Sequence, residues 1–393
     1  MRVVMLSWEF PPKRVGGIAA ALEGLAPAVA SQDCIVDVIT AGDAGGAPCE
    51  AVGSNLTIHR VLVHVETHDF FDWIHRLNDS MYAPAAEVIK NARAAGEDVI
   101  LHVHDWLTMF VGLRLKDDFG LRLVTTIHAT EYGRNHGIHT DTQHQIHSWE
   151  CELIQRSDSV IVCSEAMRHE IVQHLGAHWH RISVIPNGVD GTKLDAHFTP
   201  DERAAFRLRF AGPNEKIVFF IGRMVGEKGA HLLVEAIGKL HPSLPIKLVI
   251  SGGGARTHLE ERAQALGIWD SVYFTGRISD EDRDGLYAVA DVAVYPSLYE
   301  PFGIVALEAM AAGVPVVVSD AGGLREVVEH DVTGTTTYAG DVNSLAWGID
   351  RVLRDDVRSA KLAERAKEVV RTKFSWNPIS RSTVEVYQNV LSA

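Results

Sequence analysis

Glu300-Pro301-Phe302-Gly303-Ile304-Val305-Ala306-Leu307-Glu308 runs on into Ala309-Met310-Ala311-Ala312-Gly313-Val314-Pro315. The stretch opens with an acid, a proline and a glycine, the composition of a loop. From Ile304 it becomes good helix sequence, which Gly313 and Pro315 bring to an end. A β run, Pro315 to Ser319, follows at once. A glycine at such a junction lets a ligand come close to the backbone. The first N–H groups of the helix lack internal partners and sit at the positive end of its dipole, where a phosphate can bind. Glu308 falls about one and a half turns into the helix at roughly 3.6 residues per turn, while Glu300 stays on the loop. One acid can therefore face a group beyond the phosphate and the other the reacting end. The same spacing also suits an ordinary strand–loop–helix with two solvated acids, so the neighbouring segments decide.

Those neighbours repeat the pattern. Strands are predicted at Ile217–Ile221, Lys247–Ser251, Val272–Thr275, Asp291–Tyr295, Val314–Ser319 and Gly334–Tyr338, with helices between them. The first ends in Gly222-Arg223-Met224-Val225-Gly226-Glu227-Lys228-Gly229. Arg and Lys on one strand-end loop supply a planar fork and a point charge, which suits a diphosphate leaving group. Ser251-Gly252-Gly253-Gly254 and Thr275-Gly276-Arg277-Ile278 end the next two strands.

Before residue 188 the reading is the same. Strands are predicted at Arg2–Ser7, Cys34–Thr40, Leu56–Val65, Val99–Val103, Arg122–Ile127, Ser159–Cys163 and Ile182–Ile185, and helices at Ile18–Ala30 and Met81–Ala95. Alternating strands and helices indicate a parallel sheet, whose ligands bind beyond the carboxyl ends of the strands. Glu9, His104, Asp105, His128 and Asn187 all lie just past such ends. Gly16-Gly17, preceded by Lys13-Arg14, sits between the first strand and its helix and repeats the phosphate-loop logic. It is neither G-x-G-x-x-G nor a Walker loop. The turn-rich Pro186-Asn187-Gly188 marks a domain boundary, giving an N-terminal domain over 1–187 and a C-terminal one over 188–373. A polar helix is predicted from Pro200 to Phe210. Residues 374–393 read as a terminal helix packing back on the body of the protein.

Bulk properties narrow the classes. A length of 393 residues suggests two or three domains with their own cores. The formal charge of -14, with no long basic run, argues against nonspecific nucleic-acid binding. Cys34, Cys49, Cys151 and Cys163 form no C-x-x-C pair. No apolar run reaches the roughly 18 residues that a membrane span needs, and the N-terminal apolar run is too short for a signal peptide. The expectation is a cytoplasmic protein with reduced thiols. His136, His139, His144 and His147 match no metal-ligand spacing, and no metal site is expected. They fit a loop that touches a polar substrate.

Taken together, the motifs resemble the retaining glycosyltransferases of family 4, closest to the glycogen and starch synthase branch. The resemblance covers essentially the whole chain. It rests on the E-x7-E stretch Glu300–Glu308, Gly16-Gly17, His104-Asp105-Trp106, Thr126-Ile127-His128, Pro186-Asn187-Gly188-Val189-Asp190, Gly222-Arg223 with Lys228-Gly229, and Gly322-Gly323-Leu324-Arg325-Glu326. It implies an α/β GT-B fold, two Rossmann-like domains facing each other across a central cleft. It also implies a nucleotide-sugar donor, held mostly by the second domain, and a carbohydrate acceptor. Arg223 and Lys228 would bind the diphosphate, helped by the backbone of Gly303, Ile304 and Val305 and by Gly16 and Gly17. Glu308 would hold the ribose and Glu300 the transferred sugar. His128 would sit over the reacting centre, Asp105 and Asn187 would line the cleft, and Arg277 and Ile278 would border the nucleobase. No cofactor is implied. The front-face mechanism usual for the family makes the leaving phosphate the proton acceptor.

Departures bear on the acceptor. Arg14 stands where glycogen synthases usually carry the lysine of K-x-G-G, and Ala129 to Gly137 is not the usual synthase sequence. The reading is transfer of glucose from ADP-glucose or UDP-glucose to an α-glucan or maltooligosaccharide. The alternatives are glucose 1-phosphate or another small acceptor, a lipid-linked sugar, a nucleotide-sugar epimerase, and a sugar-nucleotide binder without activity.

Overall fold

Strands, most of them buried and apolar, alternate with helices along much of the chain. The computed structural model describes residues 1–63, 67, 69–194 and 198–393. They fall into two units, Met1–Gly188 with Trp376–Ala393, and Val189–Ser375.

The first unit contains β1 (Arg2–Ser7), α1 (Gly17–Ala30), β2 (Ile35–Ala41), β3 (Cys49–Val52), β4 (Leu56–Val61), α2 (Phe70–Ala94), β5 (Val99–His104), α3 (Met109–Phe119), β6 (Arg122–Ile127), α4 (Glu131–Asn135), α5 (Asp141–Arg156), β7 (Ser159–Val162), α6 (Glu165–His174) and β8 (Ile182–Val184). Among the described residues its sheet runs β3-β4-β2-β1-β5-β6-β7-β8, parallel except at the β3–β4 edge. β5 is buried throughout, as a central parallel strand covered on both faces should be. Because side chains alternate along a strand, His102 and His104 share one face. His104 pairs in register with Thr126 of β6.

The second unit contains α7 (Gly191–Leu194), α8 (Pro200–Arg207), β9 (Lys216–Ile221), α9 (Ala230–Leu240), β10 (Ile246–Ser251), α10 (Thr257–Ala265), β11 (Val272–Gly276), α11 (Asp280–Val289), β12 (Val292–Tyr295), α12 (Ile304–Ala311), β13 (Val316–Ser319), α13 (Leu324–Val327), β14 (Thr335–Thr337), α14 (Val342–Arg354) and α15 (Asp356–Lys373). Its sheet is β11-β10-β9-β12-β13-β14 among the described residues. Val189 N donates to Phe374 O at 2.9 Å, so the two ends of this unit are tied together.

The last helix, α16 (Trp376–Ser392), belongs to the first unit. Its Ile379, Val386, Tyr387 and Val390 join the core formed by Val3, Met5, Leu22, Val29, Val36 and Val38. The Trp376 indole lies against Gly24 of α1 and against Gly188. A Cβ added to Gly24 would fall 2.0 Å from that ring, and one on Gly188 2.7 Å from it.

Most element boundaries shift from the sequence reading by three residues or fewer, and two differ more. α2 begins at Phe70, not Met81, with Asp69 as its cap accepting from Asp72 N at 2.8 Å. Its aromatic first turns and internal Pro84 are weak helix signals, but packing overrides them: Phe71 meets Trp149 edge-on, ring centroids 5.0 Å apart. The strand expected over Leu56–Val65 ends at Val61, and of that stretch His64 and Val65 lie outside the described residues. No helix among the described residues is long and apolar enough to cross a membrane.

Candidate active site

The candidate residues fall into two sets, one at the carboxyl edge of each sheet. In the second unit, the loops after β9 and β12 meet. Lys228 Nζ donates to Glu300 Oε2 at 2.8 Å, and Ser297 Oγ donates to the same oxygen at 3.1 Å. Glu300 is buried and Lys228 half-buried. Arg223 behaves differently. It is exposed and pairs with Glu227 at 2.9 Å.

Glycines allow this meeting. Gly229 has φ +70, and a Cβ there would lie 2.0 Å from Pro296 O. Gly322 has φ +49, and a Cβ there would lie 2.3 Å from Glu300 O, the oxygen that accepts from Gly323 N at 2.9 Å. Both positions need a residue without Cβ for conformation and for space. The loop that carries Glu300 is thus clamped by backbone on two sides.

α12 then starts from Gly303 at φ +104 with no side-chain cap. The first N–H groups bonded there belong to Ala306 and Leu307, both donating to Gly303 O, at 3.0 and 3.3 Å. The N–H groups of Gly303, Ile304 and Val305 are left without a partner among the described residues, the usual anion-binding condition of a helix start. Glu308 points elsewhere. It is half-buried, and its Oε2 accepts from Tyr287 Oη at 3.2 Å. Burial pushes its carboxyl above the usual range, and the nearby Arg283 charge and the Tyr287 bond oppose that. Arg277 is exposed and lies over Gly253, where a Cβ would be 2.9 Å from its Nε; Ile278 beside it is half-buried.

In the first unit the glycine loop is occupied from within. Glu9 is buried, and its Oε2 accepts from Val15 N at 2.5 Å and Gly16 N at 3.0 Å. Burial pushes the Glu9 carboxyl up, and these backbone donors oppose it. The Gly16 N–H therefore faces a carboxylate of its own chain, whereas the sequence reading gave it to a diphosphate. Gly17 opens α1. The adjacent basic pair is engaged as well. Lys13 Nζ donates to both oxygens of Asp43 at 2.8 Å and stands 4.3 Å from the Trp73 ring centroid, and Arg14 pairs with Glu23 at 2.9 Å.

Past β5 and β6 the polar groups converge. Asp105 has φ +60, strained for a residue with a Cβ. Its Oδ1 accepts from His128 N at 2.7 Å, and its buried Oδ2 has no partner among the described residues. Burial pushes its carboxyl up to about 6, against the pull of Arg134. His104 Nδ1 lies 3.1 Å from His128 Nε2. Burial lowers His128 to about 4, helped by the Arg134 charge, so the imidazole is neutral at neutral pH. Asn187, half-buried after β8, makes no side-chain hydrogen bond among the described residues.

Sequence reasoning missed Glu150 and Arg134. Glu150 is buried on α5, accepts from Glu131 N at 2.9 and 3.2 Å, and is pushed up to about 8 by burial. Arg134 on α4 offsets part of that shift, as it does at Asp105. The signal was present: Ile146, Glu150, Leu153 and Ile154 fall at helical spacing on the buried stripe. Of the histidines over 136–147, His139 Nε2 lies 3.1 Å from Asn135 O and His147 Nε2 3.7 Å from Cys151 Sγ. Among the described residues, no three His, Cys, Asp or Glu side chains group so as to hold a metal.

Comparison with known proteins adds the following. Residues 15–193 match the model for Glycosyltransferase Family 4, and residues 203–369 the model for Glycosyl transferases group 1. An uncharacterized glycosyltransferase of Methanocaldococcus jannaschii is 38% identical over 392 residues, covering 99% of this chain and 98% of the relative. A glycogen synthase of Mycobacterium tuberculosis is 33% identical over 401 residues, covering 98% and 94%. The solved sucrose-phosphate synthase of Thermosynechococcus elongatus superposes with a TM-score of 0.84 at 24% identity, covering 100% and 99%.

Proposed function

The chain belongs to the family 4 glycosyltransferases of GT-B fold, and on that premise we propose that it is a retaining glucosyltransferase acting from ADP-glucose or UDP-glucose onto an α-glucan or maltooligosaccharide. The observation that carries this reading is the Lys228–Glu300 pair beside the uncapped start of α12. A cation, free backbone N–H groups and a buried carboxylate lie within one loop cluster, which is what a sugar diphosphate presents to be bound: phosphate charge at one end and hydroxyls at the other. In this reading Lys228 and Arg223 neutralise the leaving diphosphate, Glu300 orients the transferred sugar, and Glu308 takes the ribose. Arg277 and Ile278 border the base. His128 sits over the reacting centre, and Asp105 and Asn187 help bind the donor. The glycogen synthase relative supports the glucan acceptor.

No protein carboxylate is asked to be a nucleophile. Glu300 is already bonded to Lys228 and Ser297, and such a charge-assisted bond lowers the nucleophilicity of an oxygen. The phosphate leaves with negative charge that the cations stabilise and accepts the proton of the incoming hydroxyl.

The test is a donor-by-acceptor screen. ADP-, UDP- and GDP-sugars are offered with glycogen, maltooligosaccharides and glucose 1-phosphate, and product anomers are read by NMR. Transfer to glucan with the α-anomer kept is expected, and undiminished in excess EDTA. An inverted anomer overturns the mechanism, and transfer to glucose 1-phosphate alone overturns the acceptor.

A further inference from the structure

His104 Nδ1 and His128 Nε2 stand 3.1 Å apart, and one hydrogen must lie between them. Both rings are neutral, because burial pushes His128 down to about 4 and His104 well below its ordinary value. Two arrangements satisfy the contact. If His128 donates, His104 must carry its own proton on Nε2. That nitrogen is buried and has no partner among the described residues, so an N–H would be stranded there without an acceptor. If His104 donates from Nδ1, only a lone pair is left at Nε2. Stranded buried N–H groups are rarer in folded proteins than under-used acceptors.

The His104 ring is also held in place. It packs on the ring of His102, centroids 4.0 Å apart. His102 is pinned at both nitrogens, Nδ1 2.7 Å from Tyr387 Oη of α16 and Nε2 2.7 Å from Thr126 Oγ1.

We propose that His104 is a positioning residue that sets the proton on His128: it donates to His128 Nε2 and leaves His128 with Nδ1–H, a hydrogen-bond donor facing whatever it contacts. Neither nitrogen of His128 is then free to accept a proton, because Nε2 is engaged and Nδ1 already carries one. The consequence deepens the proposed reaction and rests on it for the identity of the contacted group. His128 orients a substrate oxygen, and the acceptor's proton goes elsewhere.

The test is carried out on the full chain with 15N-labelled histidine at pH 7, using long-range proton–nitrogen correlation of the rings. The His128 ring is assigned by its loss in His128→Asn. A protonated Nδ1 and a bare Nε2 are expected for His128. An Nε2–H form or a charged ring in the wild type overturns the proposal. His104→Asn, whose amide can donate from a similar place, is expected to keep the tautomer; His104→Leu is expected to give a mixture. An unchanged tautomer in His104→Leu also overturns it. With any substrate pair found active, His104→Leu is expected to lower kcat about tenfold and His104→Asn to stay within about threefold of wild type. If no pair is turned over, the proposed function fails while the spectra still decide the proton's position.

Discussion

Lys228 and Glu300 meet at 2.8 Å with little solvent around either, side-chain exposures being 22% and 9%. Removing one partner leaves the other charge buried and unpaired. Lys228→Ala and Glu300→Gln are each expected to lower kcat/KM about 100-fold or more, with a stability loss of about 2 to 3 kcal/mol, checked by donor kinetics and urea unfolding. Wild-type turnover in either variant would remove the pair from the site.

Glu150 makes a prediction of a different sign. Its carboxyl rises from an ordinary 4.5 to about 8, so the folded chain holds a proton that the unfolded chain releases. Stability from this group is whole below about 4.5 and is lost as pH rises toward 8. His128 and His102, lowered to about 4 and about 3 from 6.5, act in reverse and cost stability as pH falls below about 6.5. Asp105, raised to about 6, offsets one of them. Stability should therefore peak near pH 6.5. Glu150→Gln should flatten the fall between 6.5 and 8 in urea titrations, and an unchanged alkaline limb would place the cause elsewhere. The E-x7-E acids were legible as motif residues, but their different partners, Lys228 for one and Tyr287 for the other, come from contacts far along the chain. Glu9 was legible as a strand-end acid, and its hold on Gly16 was not.

Loops and helices show why glycine is hard to read from sequence. A glycine after a strand can face open space, a ligand or another loop, and its letters are the same in each case. Gly322 faces Glu300 O. Gly322→Ala should displace the Glu300 loop and reduce turnover about tenfold or more without removing any charged group, with a melting shift as the structural control. Turnover and melting like wild type would show that the loop tolerates the shift. Gly24 faces the Trp376 ring. Gly24→Ala should force the indole out at a cost of about 1–3 kcal/mol, seen as a red-shifted tryptophan emission and an earlier urea midpoint. The strands were largely legible because buried parallel strands are near-continuous apolar runs. β3, exposed and only four residues long, carried no such run. α2 escaped over its first turns because aromatic packing, not propensity, makes it helical there.

At the scale of the molecule, α/β alternation and the turn at Pro186-Asn187-Gly188 made the two-unit plan legible; how the last helix is held was not, since His102 and Tyr387 lie 285 positions apart. The second unit is continuous in sequence, with its ends joined at Val189 and Phe374. Residues 189–375 alone should fold and unfold cooperatively, whereas 1–188 alone lacks α16 and part of its core. Circular dichroism melts of the two fragments would check this, and a sharp transition in 1–188 by itself would show that α16 is dispensable. The same connectivity sets an order of assembly during synthesis. Domains fold as units while the chain emerges N-terminus first. Here the first unit to be made is the last to be finished, because its closing helix is encoded after the whole of the second unit. Until then the apolar groove awaiting Trp376 and Tyr387 stays uncovered on the ribosome, and a stop codon just before Trp376 would damage the first unit rather than the second.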